Sequence, residues 1–282
     1  MTTPIRPTTL ALPSGRLAPG PRPPLGLGER LVAVTGHHLL VYRRTWKGSV
    51  VGRLLSPLLF LLSMGVGLGA LVDSGANGPG GVPYLQYVAP ALVAVQAMWL
   101  AFGESTYPVM GYLKWNQMYA GMLASPLGVV EVLGGHLLVV SFHLASATAA
   151  FVAIGSLLGA FTSWWVLATI PLATLTGLAF AVPTFALAAR LDSDNGFGVL
   201  NRFVMSPLML FSGTFFPVSS LPAVLEPVAW VTPLWHGVEL CRAASAGLAP
   251  GAAGAGHLLV LVAWVLAGWV LARRGFTKRL VT

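Results

Sequence analysis

Charged residues are scarce in this chain: Asp, Glu, Lys and Arg make up 9% of its 282 residues, whereas a soluble domain carries about 25%. A single cysteine, Cys241, excludes a disulfide-stapled fold. A disordered chain is excluded in turn by the hydrophobic content of 56%. Because 33 glycines and 21 prolines are scattered through apolar sequence, the composition predicts an all-α polytopic membrane protein. The net charge of +8 does not by itself predict a nucleic-acid partner, since the cations must first be placed relative to the membrane.

Long uncharged segments predict six transmembrane helices. A span needs about 20 apolar residues to cross about 30 Å of hydrocarbon. The uncharged run 132–189 is long enough for two spans, which we divide at the small residues Gly159–Ser163. The predicted spans are 52–72, 84–106, 128–158, 164–188, 197–217 and 252–272.

The basic residues are distributed unevenly around these spans. All 16 Lys and Arg residues except Arg242 lie before the first span, in loops on one side, after the last span, or, like Arg53 and Arg202, at the start of a span on that same side. Because positive charges are retained on the cytoplasmic side, both termini are predicted to be cytoplasmic. The Pro-rich residues 1–28 are predicted to form a disordered cytoplasmic tail, and residues 276–282 a short one.

Residues 29–48 are predicted to form an N-terminal amphipathic helix that lies in the cytoplasmic interface of the membrane. Val32, Thr35, Leu39 and Tyr42 recur at helical spacing, and basic residues cluster near the end of the segment. The alternative is a cytoplasmic extension of the first span.

Two loops depart from a simple polytopic pattern. The segment 110–125 is short, aromatic and cytoplasmic; it is either a stub helix that presents Trp115 and Tyr119 to a partner or an anchor in the aromatic belt.

The segment 217–250 is too apolar for a solvated loop and too rich in proline for one span, which is typical of re-entrant or interfacial helices on the outer side. Within it, Glu239 and Arg242 have the i, i+3 spacing of a local ion pair.

No enzyme motif accompanies these segments. The sequence contains no phosphate-binding G-x-x-x-x-G-K-[ST] loop, no G-x-S-x-G nucleophile elbow and no H-E-x-x-H zinc motif.

Asp192–Gly196 resembles a calcium loop only faintly, because glycine occupies a position that needs an oxygen ligand. Asp192 is predicted instead to cap a helix or to pair with Arg190 or Arg202. His136 and His143, seven residues apart, favour a polar contact between helices over a metal site.

The ionisable residues near the spans are predicted to lie towards the cytoplasmic ends. They are Glu104, Glu131, Asp192 and Asp194. An ion-gradient-driven carrier needs such groups near the membrane midplane, so the pattern argues against one. A carrier of that kind stays open as an alternative, as do a polyprenyl-lipid membrane enzyme that uses Asp192 and Asp194 and a scaffold or immunity protein that transports nothing.

Four stretches, taken in this order, carry a family resemblance. They resemble ABC-2 type exporter permeases, in the subfamily that includes the nodulation lipo-oligosaccharide exporter and related drug exporters. The resemblance extends from about residue 30 to residue 275. The stretches are Arg53–Leu61 with Gly65, Gly67 and Gly69; Glu104–Pro108 with Lys114, Trp115 and Ala124–Leu127; Phe211–Val218 with Leu221 and Pro222; and Pro233–His236 with Glu239–Arg242.

The resemblance implies a membrane subunit of an ATP-binding cassette exporter in a bacterial plasma (inner) membrane. Two permease subunits, identical or sisters, would form a six-span-plus-six-span dimer energised by two separate ATPase subunits. ATP and Mg would bind to those partner chains, so this chain would carry no cofactor and would not itself be an enzyme. The expected substrate is amphipathic or hydrophobic (a drug, a glycolipid or a lipid-linked compound) and leaves the cytoplasm or the inner leaflet.

The resemblance also implies roles for individual residues within a transmembrane domain spanning 49–275. Residues 29–48 would be the interface helix, residues 110–125 a coupling loop that docks into the ATPase, and residues 217–250 a pair of outer re-entrant helices. Glu104 would hold the junction of the second span and the coupling loop through a hydrogen bond or an ion pair. The expected ATPase contacts are Tyr112, Lys114, Trp115 and Tyr119. The expected substrate path, for which ordinary helix packing is the alternative, comprises Met98, Trp99, Phe102, Met205, Leu208, Phe211 and Phe215.

Overall fold

A computed structural model describes residues 26–69, 81–248 and 251–281, and every regular element within these ranges is helical. Of the predicted tail 1–28, residues 1–25 lie outside the described residues. The first helix, α1, begins at Leu27. Five helices are long: α1 Leu27–Leu62, α2 Tyr84–Ser105, α5 Val129–Leu157, α6 Thr169–Ala188 and α11 Ala252–Leu280. Six are short: α3 Tyr107–Met110, α4 Met118–Leu123, α7 Asn195–Leu200, α8 Ser206–Phe211, α9 Glu226–Val231 and α10 Pro233–Ser245.

Wider and tighter helical turns extend several of these helices. Turns of π-helix follow α1 (Ser63–Leu68), follow α3 (Gly111–Trp115) and join α7 to α8 (Asn201–Met205). Turns of 3₁₀-helix precede α6 (Trp164–Ala168) and lie at Val218–Ser220.

Four helical segments of the described residues are long and apolar enough to cross a membrane: Tyr84–Trp115, Val129–Leu157, Trp164–Ala188 and Ala252–Leu280. They coincide with four of the six predicted spans, including the division at residues 159–163, where Gly159 adopts a positive φ of 73°. The predicted span 52–72 falls on α1 and the turn after it, and its last residues lie outside the described ranges.

The predicted C-terminal end of the span 197–217 is wrong, because the helix ends at Phe211. The helical run Asn195–Phe211 stops at Ser212, because Gly213 takes a φ of 77° that turns the chain. The C-terminal boundary is wrong as well. Residues 276–280 belong to α11 rather than to a tail, and Phe276 is completely buried.

α1 is continuous across the predicted boundary between an interface helix and the first span. It lies along α5 and runs parallel to it: Nη1 of Arg30 is 3.3 Å from Oε1 of Glu131, the ring of His38 stacks on His136, and Tyr42 contacts His143. The structure therefore differs from the prediction of a separate helix lying flat in the interface. The alternative, an extension of the first span, matches this continuity.

α6 is the central helix, and it packs against α2, α5, α10 and α11. Small residues permit the close approach. A Cβ atom on Gly177 would meet Leu144 of α5, one on Gly237 would meet Thr176, and one on Gly268 of α11 would meet the ring and backbone nitrogen of Pro183. Glycines at such crossings are typical of helix packing in membranes, where van der Waals contact drives association.

The bundle has two chemically different ends. α2, α6 and α11 run in one direction and α5 runs back between them. Lys114, Asp192 and Arg279 meet where α6 and α11 end, and we call this the basic end. The opposite end, called the far end, carries the 157–164 turn, residues 212–248 and the start of α11.

Candidate functional site at the basic end

The predicted coupling loop 110–125 leaves α2 through a break at Thr106. α2 stops at Ser105 and α3 restarts at Tyr107, where Pro108 occupies the first turn and needs no amide hydrogen bond. After the π-helical turn, Gln117 adopts a left-handed φ of 47° and reverses the chain into α4. The result is a compact projection at the basic end.

The structure separates the four predicted ATPase contacts into one exposed residue and three that are turned inwards. Trp115 is 63% exposed, whereas Tyr112 and Lys114 are half-buried and Tyr119 is fully buried. Nζ of Lys114 donates a hydrogen bond to the carbonyl of Asp192. The expectation that Tyr119 is presented at the surface is wrong, because its ring lies in the core of the bundle.

Tyr119 is held by a short polar contact. Its hydroxyl oxygen lies 2.6 Å from Nδ1 of His136 on α5. Burial, reinforced by Tyr112, raises the pKa of Tyr119 well above its usual range, so the phenol stays neutral and protonated. The predicted role of His136 in a polar contact between helices is confirmed by this bond.

Four further rings surround the rings of Tyr119 and His136, and we call these six rings, from six different elements, the ring cluster. Ring centroids within it are 4.4 Å apart for His38 and His136, 5.1 Å for His136 and Phe185, and 5.6 Å for Tyr119 and Phe276. The cluster comprises His38 of α1, Tyr112 of the π-helical turn, Tyr119 of α4, His136 of α5, Phe185 of α6 and Phe276 of α11.

Asp192 forms the second polar contact of the basic end. Its carboxylate lies 3.3 Å from Nη2 of Arg279 and 3.8 Å from Nζ of Lys114. Nη1 of Arg279 also donates to the carbonyls of Ala189 (2.8 Å) and Leu191 (3.0 Å), which satisfies acceptors left open at the end of α6. The predicted partners Arg190 and Arg202 are therefore wrong, since cations from α11 and the coupling loop take their place.

Glu104 lies deeper in the bundle than predicted. The candidate span containing it continues to Trp115, so Glu104 is not at the edge, and its Oε1 is 3.0 Å from Nδ1 of His143, the midpoint of α5. Glu104 thus contacts His143 of α5, and its role at the junction with the loop 110–125 stays a prediction.

The predicted path residues occupy different environments. Met98, Phe102 and Met205 are buried in the hydrophobic core, and Phe211 is exposed. Trp99 is half-buried and donates its indole N–H to Sδ of Met209, 3.5 Å away; Leu208 and Phe215 are also half-buried. Met205 and Leu208 line an apolar cavity of about 290 Å³ between α6, α8 and α11.

At the far end, Arg242 joins three segments. The predicted ion pair with Glu239 is confirmed at 3.2 Å. Nη2 of Arg242 donates to the carbonyls of Gly213 (2.6 Å) and Thr214 (3.2 Å), and the guanidinium stacks 4.1 Å from the ring centre of Tyr87. Arg242, Glu239 and Tyr87 line a cavity of about 600 Å³ together with Ser219, Glu226, Trp230 and Trp235.

Sequence reasoning missed three members of the ring cluster: His38, Phe185 and Phe276. A signal existed for His38, because His38 and Tyr42 share one face of α1 and meet His136 and His143 on one face of α5. Phe185 lies in an apolar run where nothing distinguishes it, and Phe276 was assigned to a tail.

Sequence comparison relates the chain to known membrane transport proteins. The family model for ABC-2 type transporters matches residues 29–245. The chain is 31% identical to nodulation protein J of Rhizobium leguminosarum bv. trifolii over 75% of this chain and 79% of that protein. It is 27% identical to nodulation protein J of R. leguminosarum bv. viciae (90% and 96%) and 21% identical to the inner membrane transport permease YadH of Escherichia coli (83% and 91%). The chain therefore belongs to the ABC-2 type transporter family.

Proposed function

We propose that this chain is the transmembrane permease subunit of an ATP-binding cassette exporter, powered by separate ATPase subunits that bind the basic end. One observation carries the proposal: Trp115 is an exposed aromatic side chain at the tip of the coupling loop, next to the exposed Asn116 and Gln117. A tryptophan rimmed by polar residues is typical of the residues that dominate protein–protein binding energy. ATP and Mg would be bound by the ATPase chains, and this chain would need no cofactor of its own.

The proposed assembly contains two permease subunits and two ATPases. The run Asn195–Phe211 supports a permease dimer, because Phe203, Val204, Leu210 and Phe211 present an exposed apolar face. A second permease, identical or a sister, would pack in this region and bring the half-buried Leu208 and Phe215 towards a shared substrate path.

The proposed substrate is amphipathic or hydrophobic: a drug, a glycolipid or a lipid-linked compound. The cavity beside Met205 and Leu208 supports an apolar cargo, since both threonines on its wall, Thr184 and Thr232, direct their hydroxyls at backbone carbonyls. ATP binding would close the ATPase pair and shift the bundle between two conformations with different substrate affinities. Export would run from the cytoplasm or the inner leaflet outwards.

The proposed location is a bacterial inner membrane with both termini cytoplasmic. The clustering of Lys114, Arg190, Arg273, Arg274 and Arg279 towards the basic end supports a cytoplasmic basic end. The far end would then face outwards.

Co-purification tests the proposal. The tagged chain is expressed in its native host, and the ATP-binding cassette ATPase bound to it and the ATP hydrolysis of the complex are measured. Trp115→Ala is expected to reduce recovery of the ATPase at least about 10-fold, because it removes a binding hot spot. Trp164→Ala is the matched control, since Trp164 is 88% exposed at the far end. Recovery of no ATPase by the wild-type chain, or equal losses in the two variants, overturns the proposal.

A proton-coupled carrier is the second candidate, and the Glu104–His143 contact at the midpoint of α5 favours it. The two functions differ in their energy source. Proteoliposomes containing this chain alone, loaded with an acid-inside pH gradient, are tested with a fluorescent amphipathic dye. Dye movement without ATP that is lost in Glu104→Gln supports the carrier; movement only when the ATPase and ATP are present supports the exporter.

A further inference from the structure

We propose that Tyr119 is the positioning residue through which movement of the coupling loop reaches the helix bundle, acting through its hydrogen bond to His136. The inference rests on the proposed function and divides the coupling loop into two parts. Trp115 contacts the ATPase, and Tyr119 transmits the displacement that the ATPase imposes.

Tyr119 occupies the inward-facing position of its own short helix. α4 contains six residues, and Tyr119 is its buried residue, whereas Ala120 and Gly121 are exposed. A helix this short has little stability of its own. Its position relative to α5 therefore depends on what Tyr119 contacts.

The ring cluster connects Tyr119 to several long helices. Each of its six rings comes from a different element, so Tyr119 reaches α1, α5, α6 and α11 within two ring contacts. Packed cores resist compression and rearrange between discrete packings. A displacement of the Tyr119 ring must therefore be taken up by the long helices rather than absorbed locally.

The hydroxyl group of Tyr119 adds a buried hydrogen bond to this ring packing. A second polar link between the loop and the bundle joins Lys114 to Asp192, and it lies at an exposed edge where Asp192 is 94% exposed, so it contributes little. The Tyr119–His136 bond is buried, and there a hydrogen bond is stronger and an unpaired partner is costly. The ring of Tyr119 fills space, and its hydroxyl fixes the register of α4 on α5.

The experiment uses the complex with its ATPase and a fluorescent reporter at the far end. Ser219→Cys is labelled with bimane, which tryptophan quenches on contact; Ser219 is exposed and shares a cavity with Trp230 and Trp235. The native Cys241 does not interfere, because burial raises the pKa of its thiol to about 12. The measured quantity is the change in fluorescence when ATP and vanadate are added.

Tyr119→Phe and His136→Leu are each expected to retain the ATPase on co-purification and to reduce the fluorescence change about fivefold, the size of effect that one net hydrogen bond produces. The double variant is expected to be no worse than either single variant, since both remove one bond. His136→Asn places a polar atom near the position of Nδ1 and is expected to restore most of the change. Tyr107→Phe is the matched control, because Tyr107 is exposed and lies outside the ring cluster.

The inference is overturned if Tyr119→Phe gives the full fluorescence change, or if it releases the ATPase as Trp115→Ala does. Should Tyr119→Phe fail to fold, the comparison of His136→Leu with His136→Asn decides, and equal signals from these two variants overturn the inference. Failure of the proposed function looks different: the wild-type chain then recruits no ATPase and shows no nucleotide response.

Discussion

Nδ1 of His143 lies 3.0 Å from Oε1 of Glu104, which joins the midpoint of α5 to the last turn of α2. The approach is off the direction of a hydrogen bond, so the contact is electrostatic and is an ion pair when the imidazole is protonated. The ring of Tyr42 covers His143 from α1, with centroids 4.5 Å apart. These contacts connect α1, α2 and α5 at one position along the bundle. They use polar side chains, which are costly to bury in an apolar interior unless they have partners.

Glu104→Ala is expected to destabilise the protein by about 1 kcal/mol, the scale of polar contacts between membrane helices. Thermal unfolding of the purified protein in detergent measures the loss. Asp194→Ala is the matched control: Asp194 is exposed at the start of α7, and its removal is expected to cost less than about 0.5 kcal/mol. Equal losses in the two variants would show that the Glu104–His143 contact has no stabilising effect.

Two glycines of α11 are expected to behave in opposite ways. A Cβ on Gly268 would lie 2.8 Å from the backbone nitrogen of Pro183, which cannot move without shifting α6, so Gly268→Ala is expected to destabilise by about 1–3 kcal/mol. A Cβ on Gly256 meets nothing within 4 Å, so Gly256→Ala is expected to be neutral or stabilising through helix propensity. The same unfolding assay compares them, and a stable Gly268→Ala protein would contradict the observed α6–α11 spacing.

Apolar run length was sufficient to predict four spans, because lipid-facing and buried positions of a membrane helix are both apolar. Because both kinds of position are apolar, run length does not show which residues of a helix contact its neighbours. In Val129–Leu157 nothing in the apolar pattern distinguishes Leu138, which is exposed, from Leu144, which is buried. Local spacing predicted the Glu239–Arg242 pair, since both partners lie on one helix turn.

Long-range polar contacts could not be predicted from the sequence. Asp192 has cations nearby at Arg190 and Arg202, yet it pairs with Arg279 and Lys114, because the ends of α6 and α11 meet only in the folded bundle. Tyr119 was predicted to be exposed because aromatic residues in a loop fit both a docking surface and a core. Only the position of α4 against α5 distinguishes these environments.

Because of His236, we expect the free energy of unfolding to decrease as the pH decreases, through the contact between α10 and α11. Its Nε2–H donates to the carbonyl of Trp230 and its Nδ1 lies 2.7 Å from Nδ1 of His257, with Glu239 one turn away. Burial lowers the pKa of His236; the hydrogen bond to Trp230 opposes this shift and His257 reinforces it. The unfolded chain therefore takes up a proton as the pH falls through about 6.5, while the folded protein resists until lower pH. This contribution to stability is fully present above about pH 6.5 and is lost as the pH falls towards the lowered pKa.

The melting temperature of the wild-type protein is therefore expected to decrease between pH 7.5 and pH 5, and the decrease is expected to be smaller in His236→Asn, which cannot titrate. His37→Asn is the matched control, because His37 is exposed and lies away from this contact. Only the difference in slope between the variants is assigned to His236, since other groups titrate in the same range. Parallel curves for the wild type and His236→Asn would mean that the contact tolerates a charged imidazole, and the shared Nδ1–Nδ1 proton would then not hold α10 against α11.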